Sequence, residues 1–264
     1  MTEISQSHLG REALEIALWQ TSYPELEAAA RSALEDFDAD SNAQGVGNKA
    51  AGDNSLLPDL GPLSKFGSWE SVGSTIVHRA VTLSGFNPGS EKFDPVAWSV
   101  FLQKFSTIPF FVTYTFDNRD ASISKTSLKK AVEAVSDLVE NIMTPENFQG
   151  IVTTIQKIGQ LALENEGRKQ KNSNQQVGVL SRHQSSLYLG AVRTAVEMEY
   201  KSGKGYEQLN QTIYVYRGYG ILDFEKCKRH ADTLLKWDGQ DVEDWEKDTA
   251  SSSKPPNESP AWKH

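Results

Sequence analysis

The chain has 264 residues, a formal net charge of −8, 23% charged residues and 38% hydrophobic residues. A chain of this length can bury a sizeable core without disulfides or metals, and this composition is typical of globular proteins. The acidic balance argues against nucleic acid as a partner and against binding to anionic lipid through charge alone, because both need a concentrated basic surface.

The first residues, from Met1 to Ser5, are not a basic segment followed by an apolar run, so we expect no conventional secretory signal. No stretch reaches the roughly 18–20 apolar residues that span a bilayer, which leaves peripheral or lipid-mediated membrane contact. Cys227 is the only cysteine, which excludes an internal disulfide and fits a reducing compartment. We therefore expect a cytoplasmic or non-conventionally exported protein.

Two short helices are predicted at the start of the chain, over 8–19 and 24–36, from the spacing of their apolar residues. The following stretch, 38–74, is rich in Gly, Asn, Ser, Asp and Pro, and we expect a long irregular connection there. The alternating pattern of 75–83 then predicts a first strand.

Asp94 and Pro95 form a helix start, because an Asp cap accepts backbone N–H bonds and proline suits the next position. This predicts a helix that continues through Phe105. The aromatic and β-branched residues of 109–116 predict a buried strand.

The middle of the chain contains two helical apolar stripes, 128–142 and 148–162, joined by a short link at Thr144 and Pro145. Two amphipathic helices with so short a link predict an antiparallel helical hairpin that packs its apolar face on the rest of the protein. The charged, amide-rich segment 164–176 is expected to be a solvated loop, and 177–181 a short strand.

The last third alternates apolar and polar residues over 186–200, which predicts a strand, followed by turn residues at 201–205 and a partner strand at 212–216. A last helix is predicted from Asp223 to Trp237. We therefore expect one α/β domain over 1–237, an antiparallel or mixed sheet covered by helices including the hairpin, and a disordered acidic, Ser/Pro-rich tail over 238–264.

Metal and nucleophile signatures are weak in this sequence. Cys227 and His230, three residues apart, are the one pair with ligand spacing, and zinc needs three or four ligands, so no metal site is expected. A thiolate–imidazolium pair would also use these two residues, and a thiol in the first turn of a helix has its pKa lowered by the helix dipole. Catalytic Cys and His residues, however, are usually brought together by the fold beside a separate oxyanion site.

Cys227 itself has two further interpretations. The last helix has one apolar stripe, which contains Phe224, Cys227, Ala231, Leu234 and Leu235. Its other face is predicted to meet water and contains Lys226, Lys228, Arg229 and Asp232. A free cysteine on an apolar stripe is commonly a small core residue. The alternative is an acylated cysteine whose fatty chain runs between helix and sheet, lined by Phe224, Ala231, Leu234, Phe110 and Tyr114. The aromatic residues of the strands, including Phe110 and Tyr114, are most simply explained as sheet core, and a lipid pocket is the alternative.

The order of these elements resembles the Erwinia virulence factor Evf family: helical hairpin, strand pair, then a helix with a lone cysteine in the segment Phe224–Lys228. More distantly it is similar to the cytolytic delta-endotoxins. The resemblance covers roughly 75–237. It implies an α/β sandwich that carries a palmitate-like fatty acid in thioester linkage on Cys227, and a non-enzymatic, virulence or toxin-like role in association with membranes.

Three functions therefore remain open. The first is a lipid-carrying, membrane-associating virulence or toxin-like protein acylated on Cys227, with a lipid or membrane surface as its partner. The second is a small-molecule enzyme that uses Cys227 and His230. The third is a non-catalytic interaction protein in which the cysteine only packs.

Overall fold

The computed structural model describes residues 6–21, 57–88, 93–125, 129, 145–183, 185–204 and 206–240. The helices in this part of the chain are α1 (Gln6–Trp19), a 3-10 helix (Gly61–Phe66), α2 (Trp69–Ser84), α3 (Pro95–Ser106), α4 (Pro145–Glu164), α5 (Phe224–Arg229) and α6 (231–240). The strands are β1 (Phe111–Lys125), β2 (Lys169–His183), β3 (Ser186–Gly203) and β4 (Tyr206–Leu222).

The four strands form one antiparallel sheet in the order β1-β4-β3-β2. Ser186 pairs with His183 and Tyr206 pairs with Gly203, so β2, β3 and β4 are consecutive along the chain and adjacent in the sheet. β1 comes from earlier in the chain and pairs with β4, which closes a long loop that contains α4. The prediction of helices combined with an antiparallel sheet is confirmed.

Both faces of the sheet are covered, since the central strand β3 is buried without interruption from Leu189 to Val196. Successive residues of a strand point to opposite faces. Leu189 and Ala191 belong to the main apolar cluster, which also includes the buried side chains of α2 and α3. Val192 and Val196 point to the other face, where α4 contacts β2 and β3. The sheet is therefore the middle layer of three.

The segment 75–83, predicted as a strand, is part of helix α2, and that prediction is wrong. Ser68 caps α2 by accepting a hydrogen bond from the Ser71 backbone N–H, and Gly85 ends it in the left-handed conformation. Val77 and Val81 are four residues apart, a spacing that fits one face of a helix as well as one face of a strand. The cap residues Ser68 and Gly85 are the features of the sequence that favour a helix over a strand here.

The predicted loop over 164–176 is also wrong from residue 169 onward, because β2 begins at Lys169. The polar residues of this strand are stabilised by pairing with β3, and Lys169 and Lys171 both form ion pairs with Glu197 across the strands. The predicted strand 177–181 lies inside β2. The predicted strands 109–116 and 212–216 lie within longer ones, except that residues 109 and 110 precede β1.

Three further predictions concern the start of α3, the connection 38–74 and the tail. Asp94 caps α3 as expected, since its carboxylate accepts hydrogen bonds from the Val96 and Ala97 backbone N–H groups. The irregular connection 38–74 lies partly outside the described residues, and its described end contains the 3-10 helix and the start of α2. The tail prediction is wrong for 238–240, which continue α6, and 241–264 lie outside the described residues.

Two helix predictions involve residues beyond the described part. The second helix of the hairpin is confirmed as α4, which begins at Pro145. Most of its predicted first helix, 128–142, lies outside the described residues, so the hairpin stays a prediction. The helix predicted over 24–36 also lies outside them, whereas the one over 8–19 is confirmed within α1.

Candidate functional site around Cys227

Helix α5, which carries Cys227, begins immediately after strand β4. Asp223 caps this helix by accepting a hydrogen bond from the Lys226 backbone N–H at 2.9 Å, and its own N–H donates to the Phe110 carbonyl at 2.8 Å. The predicted continuous helix from Asp223 to Trp237 is interrupted at His230, where the backbone leaves the helical conformation before α6 begins. The cysteine is thus fixed between a sheet end and a helix break.

The thiol of Cys227 is buried, with 0% of the residue exposed. Burial raises the pKa of this thiol well above its usual value, and the negative charge of Asp223 raises it further. The thiol pKa is therefore raised, and not lowered as expected from the position of Cys227 in the first turn of its helix. The geometry does not favour a thiolate nucleophile.

His230, the other member of the predicted pair, is engaged by a carboxylate from the start of the chain. Its Nε2 lies 3.0 Å from Oε2 of Glu12 on α1. Sequence reasoning had paired His230 with Cys227, and Glu12 was missed. A signal for it exists in the sequence, since Glu12 occupies the same helical face as the buried Ile16 and Trp19, and an acidic residue on an apolar face calls for a cationic partner.

That cationic partner is Arg229, which binds the carboxylate of Glu12 with two nitrogens. Nη2 lies 2.7 Å from Oε1 and Nε lies 3.1 Å from Oε2. The hydrogen bond from Arg229 is the main cause that lowers the pKa of Glu12 to about 2, against an opposing effect of burial, with His230 contributing in the same direction as Arg229. Only 9% of the Glu12 side chain is exposed, so this is a nearly buried ion pair.

A second ion pair joins the same two helices. Lys226 Nζ lies 2.7 Å from Oε2 of Glu15, and only 12% of the Lys226 side chain is exposed. The prediction that Lys226 and Arg229 face water is therefore wrong, because both are used to hold α1. Lys228 pairs with Glu225 on its own helix, and Asp232 is exposed as predicted.

The predicted lipid-lining residues lie in or against one apolar cluster. Cys227, Phe110, Ala231 and Leu234 are all buried members of it, and Phe224 is partly buried against it, with its ring 4.5 Å from that of Trp69. The ring of Phe110 lies 5.8 Å from that of Trp237. The structure thus brings these positions together in or against one apolar cluster.

Tyr114, the remaining predicted residue, packs against the cluster from the sheet. Its ring lies 6.0 Å from that of Phe105, and its hydroxyl lies 2.6 Å from the hydroxyl of Tyr216. Burial is the main cause that raises the pKa of both phenols. The two rings meet above Gly218, where a side chain would collide with the Tyr114 hydroxyl.

A buried cation that sequence reasoning also missed lies on the same face of the sheet. The guanidinium carbon of Arg193 is 3.8 Å from the centre of the Phe93 ring and 5.5 Å from that of Tyr214. Burial lowers the pKa of Arg193 to about 10, so it keeps its charge at neutral pH. In the sequence Arg193 alternates with Val192 and Thr194, a pattern that predicts a strand but gives no sign of a buried cation.

The described residues contain no cluster of three or more His, Cys, Asp or Glu side chains that could hold a metal ion. Among the helices in the described ranges, none has both the length and the apolar character needed to cross a membrane.

The molecule belongs to the class of mixed α/β proteins in which helices cover an antiparallel sheet. Neither the models of protein families nor the sequences of curated proteins match this chain. Among solved structures, it is similar to the structure of the Evf virulence factor, with 10% identity, a TM-score of 0.36, and coverage of 85% of this chain and 88% of that one.

It is also similar to a delta-endotoxin, with 6% identity, a TM-score of 0.35, and coverage of 59% of this chain and 78% of that one. Both likenesses are distant.

Proposed function

We propose that this chain is a virulence or toxin-like protein that carries a fatty acyl chain in thioester linkage on Cys227 and associates peripherally with membranes. The observation that carries the proposal is the position of the thiol, fully buried in an apolar cluster with Phe110, Ala231 and Leu234. An acyl chain attached there would run through apolar surroundings, where each buried methylene contributes about 0.8 kcal/mol.

Two side chains are suited to make room for such a chain. Cores are close-packed, so an acyl chain enters only if some side chains move. Phe224 and Tyr114 are partly buried against the cluster rather than enclosed by it. Rotation of these two rings would open a path from the cluster towards its edges. Release of the chain along that path would make it available to a membrane.

The chemistry requires an activated acyl donor. Sγ of Cys227 attacks the carbonyl carbon of an acyl thioester, the carbon–sulfur bond of the donor breaks, and the departing thiol takes the proton. Because burial raises the pKa of the thiol, the reaction needs a state in which Cys227 is solvated. Once formed and buried again, the new thioester is protected from water.

A second candidate function is favoured by the same packing. Cys227 has 0% exposure and a high thiol pKa, as expected of a cysteine that serves only as a small core residue. The protein would then be a non-catalytic interaction protein. An enzyme based on Cys227 and His230 is not favoured, since burial disfavours the thiolate and the imidazole is bound to Glu12.

Intact mass distinguishes the first two candidates. Protein purified from its own organism is weighed before and after neutral hydroxylamine, which cleaves thioesters. We expect an excess mass equal to one fatty acyl chain that hydroxylamine removes and that Cys227→Ser lacks. Flotation with liposomes should then decrease after the same treatment. An unmodified mass in the parent protein would contradict acylation and leave Cys227 as a core residue.

A further inference from the structure

Helix α1 is fastened to the cysteine-bearing helix by charged side chains along one flank. Glu12 binds Arg229 and His230, and Glu15 binds Lys226. The three basic residues therefore all turn towards α1, on both sides of Cys227 in the sequence. Apart from these ion pairs, the buried side chains of α1 that join the apolar cluster are Ile16 and Trp19.

The far end of α1 is held by a second set of polar contacts. Lys104 Nζ donates hydrogen bonds to the carbonyls of Trp19 at 2.7 Å and Thr21 at 2.6 Å, and Trp19 Nε1 donates to the Lys104 carbonyl at 2.9 Å. Trp237 Nε1 donates to Gln20 Oε1 at 3.0 Å. This end is anchored to α3 and α6, so α1 is attached at both ends.

The opposite flank of α5 is covered in a different way. Phe224 packs on Trp69, and Leu63 of the 3-10 helix is buried in the same apolar cluster. Trp69 is the first residue of α2, and the buried apolar residues of α2 belong to the core. By contrast, the buried apolar side chains of α1 in the described part of the chain are Ile16 and Trp19, while Leu14 and Leu18 are exposed, so it buries fewer apolar residues than α2 does. Segments with few buried apolar contacts open at the lowest free energy cost.

We propose that α1 is a displaceable strap whose release from Lys226, Arg229 and His230 admits solvent and reagents to the thiol of Cys227. This inference deepens the proposed acylation, on which it rests for its biological purpose, because a fully buried thiol needs a route to its acyl donor. The strap itself is a property of the unmodified chain. Near Cys227, α1 is held by the ion pairs of Glu12 and Glu15.

The test measures how fast iodoacetamide alkylates Cys227 in the native, full-length chain with a free thiol, obtained by treatment with neutral hydroxylamine. Removing both carboxylates, in Glu12→Gln/Glu15→Gln, should raise the alkylation rate by about tenfold or more, because local opening becomes easier. Each single variant should give an intermediate rate. The matched control is Glu225→Gln, which breaks the Lys228 pair on α5 without touching α1 and should alkylate within about twofold of the parent.

Denaturant dependence separates release of the strap from unfolding of the whole protein. Opening of α1 alone exposes little surface, so the alkylation rate at low urea should depend weakly on urea concentration. A slope equal to that of global unfolding, in the parent and in the variants, would overturn the proposal. So would equal acceleration by Glu225→Gln. Because the reactant is the free thiol, these outcomes do not depend on whether the organism acylates Cys227.

Discussion

Burial has different net effects on the ionisable groups of Cys227 and Glu12. Burial of the thiol and the charge of Asp223 outweigh the opposing effect of Lys226 and Arg229, and the pKa of the thiol rises well above its usual value. The carboxylate of Glu12 is also nearly buried, but hydrogen bonds from Arg229 and His230 outweigh the loss of solvation and lower its pKa to about 2. At this scale the partners of a group, rather than its position on a helix, determine its charge state.

The ion pair of Glu12 predicts a pH-dependent contribution to stability. The pKa in the folded state, about 2, is below the usual value of 4.5, so the unfolded chain binds more protons between these pH values. The contribution is therefore fully present above about pH 4.5 and is lost as the pH falls towards 2. Glu12→Gln should lower the free energy of unfolding by on the order of 2–3 kcal/mol at pH 7, measured by urea denaturation.

The control for this pH dependence is Glu15→Gln, since Glu15 is largely exposed and its ion pair is expected to contribute about 1 kcal/mol or less. The difference between parent and Glu12→Gln should shrink towards zero as the pH approaches 2. A difference that stays constant from pH 7 to pH 2 would mean that the glutamate acts through packing rather than through its charge.

At the scale of single elements, β4 carries two glycines where aromatic side chains of β1 cross it. Tyr114 lies over Gly218, and the ring of Phe111 lies over Gly220. A Cβ atom on either glycine would collide with these rings. The missing side chains let the aromatic residues lie against the backbone of β4, and the Tyr114 hydroxyl reaches that of Tyr216.

Gly218→Ala should therefore destabilise the protein by about 1–3 kcal/mol, because the new methyl group displaces the hydroxyls of Tyr114 and Tyr216. The matched control is Gly239→Ala in α6, where an added Cβ meets nothing within 4 Å and alanine favours a helix. Urea denaturation of both variants checks this expectation. Equal stability of Gly218→Ala and the parent would mean that the two tyrosines can shift without loss.

Elements with strong local signals were predictable, and those that depend on a partner were not. The Asp94 cap and the apolar stripe of α4 are local features, and both elements were predicted. β2 is polar over much of its length, and the strand exists because β3 supplies its hydrogen bonds. The spacing of Val77 and Val81 fits a helix or a strand. The apolar pattern alone could not assign this segment, because the helix is marked by its cap residues.

For the molecule as a whole, the candidate site combines residues far apart in the sequence. Glu12 and Arg229 are separated by 217 positions, so their ion pair had no local signal beyond an acidic residue on an apolar helical face. The apolar stripe of Cys227, Ala231 and Leu234 was predicted, because helical spacing is local. Which helix covers that stripe depends on the tertiary fold.

The three-layer arrangement predicts an order of local opening. β3 is buried on both faces and pairs with a strand on each side, so its amides should exchange with solvent only on global unfolding. α1 is attached by its ion pairs, by two buried side chains, Ile16 and Trp19, and by Lys104 at its end, so its amides should exchange at a lower free energy than those of β3. Hydrogen exchange with mass spectrometry should therefore label peptides from 6–21 well before those from 186–203.

The Glu12→Gln/Glu15→Gln variant tests whether the ion pairs of α1 control the exchange of its amides. It should accelerate exchange in 6–21, because the two carboxylates attach α1 to α5. Exchange in 186–203 should increase only by the amount that the loss of global stability predicts, because these ion pairs involve no residue of the sheet. Lys104→Met, which removes the hydrogen bonds to the carbonyls of Trp19 and Thr21, should accelerate the same peptide from its other end. Exchange of 6–21 and 186–203 at one common rate would show that α1 opens only with the whole fold, and the thiol of Cys227 would then be reached only by global unfolding.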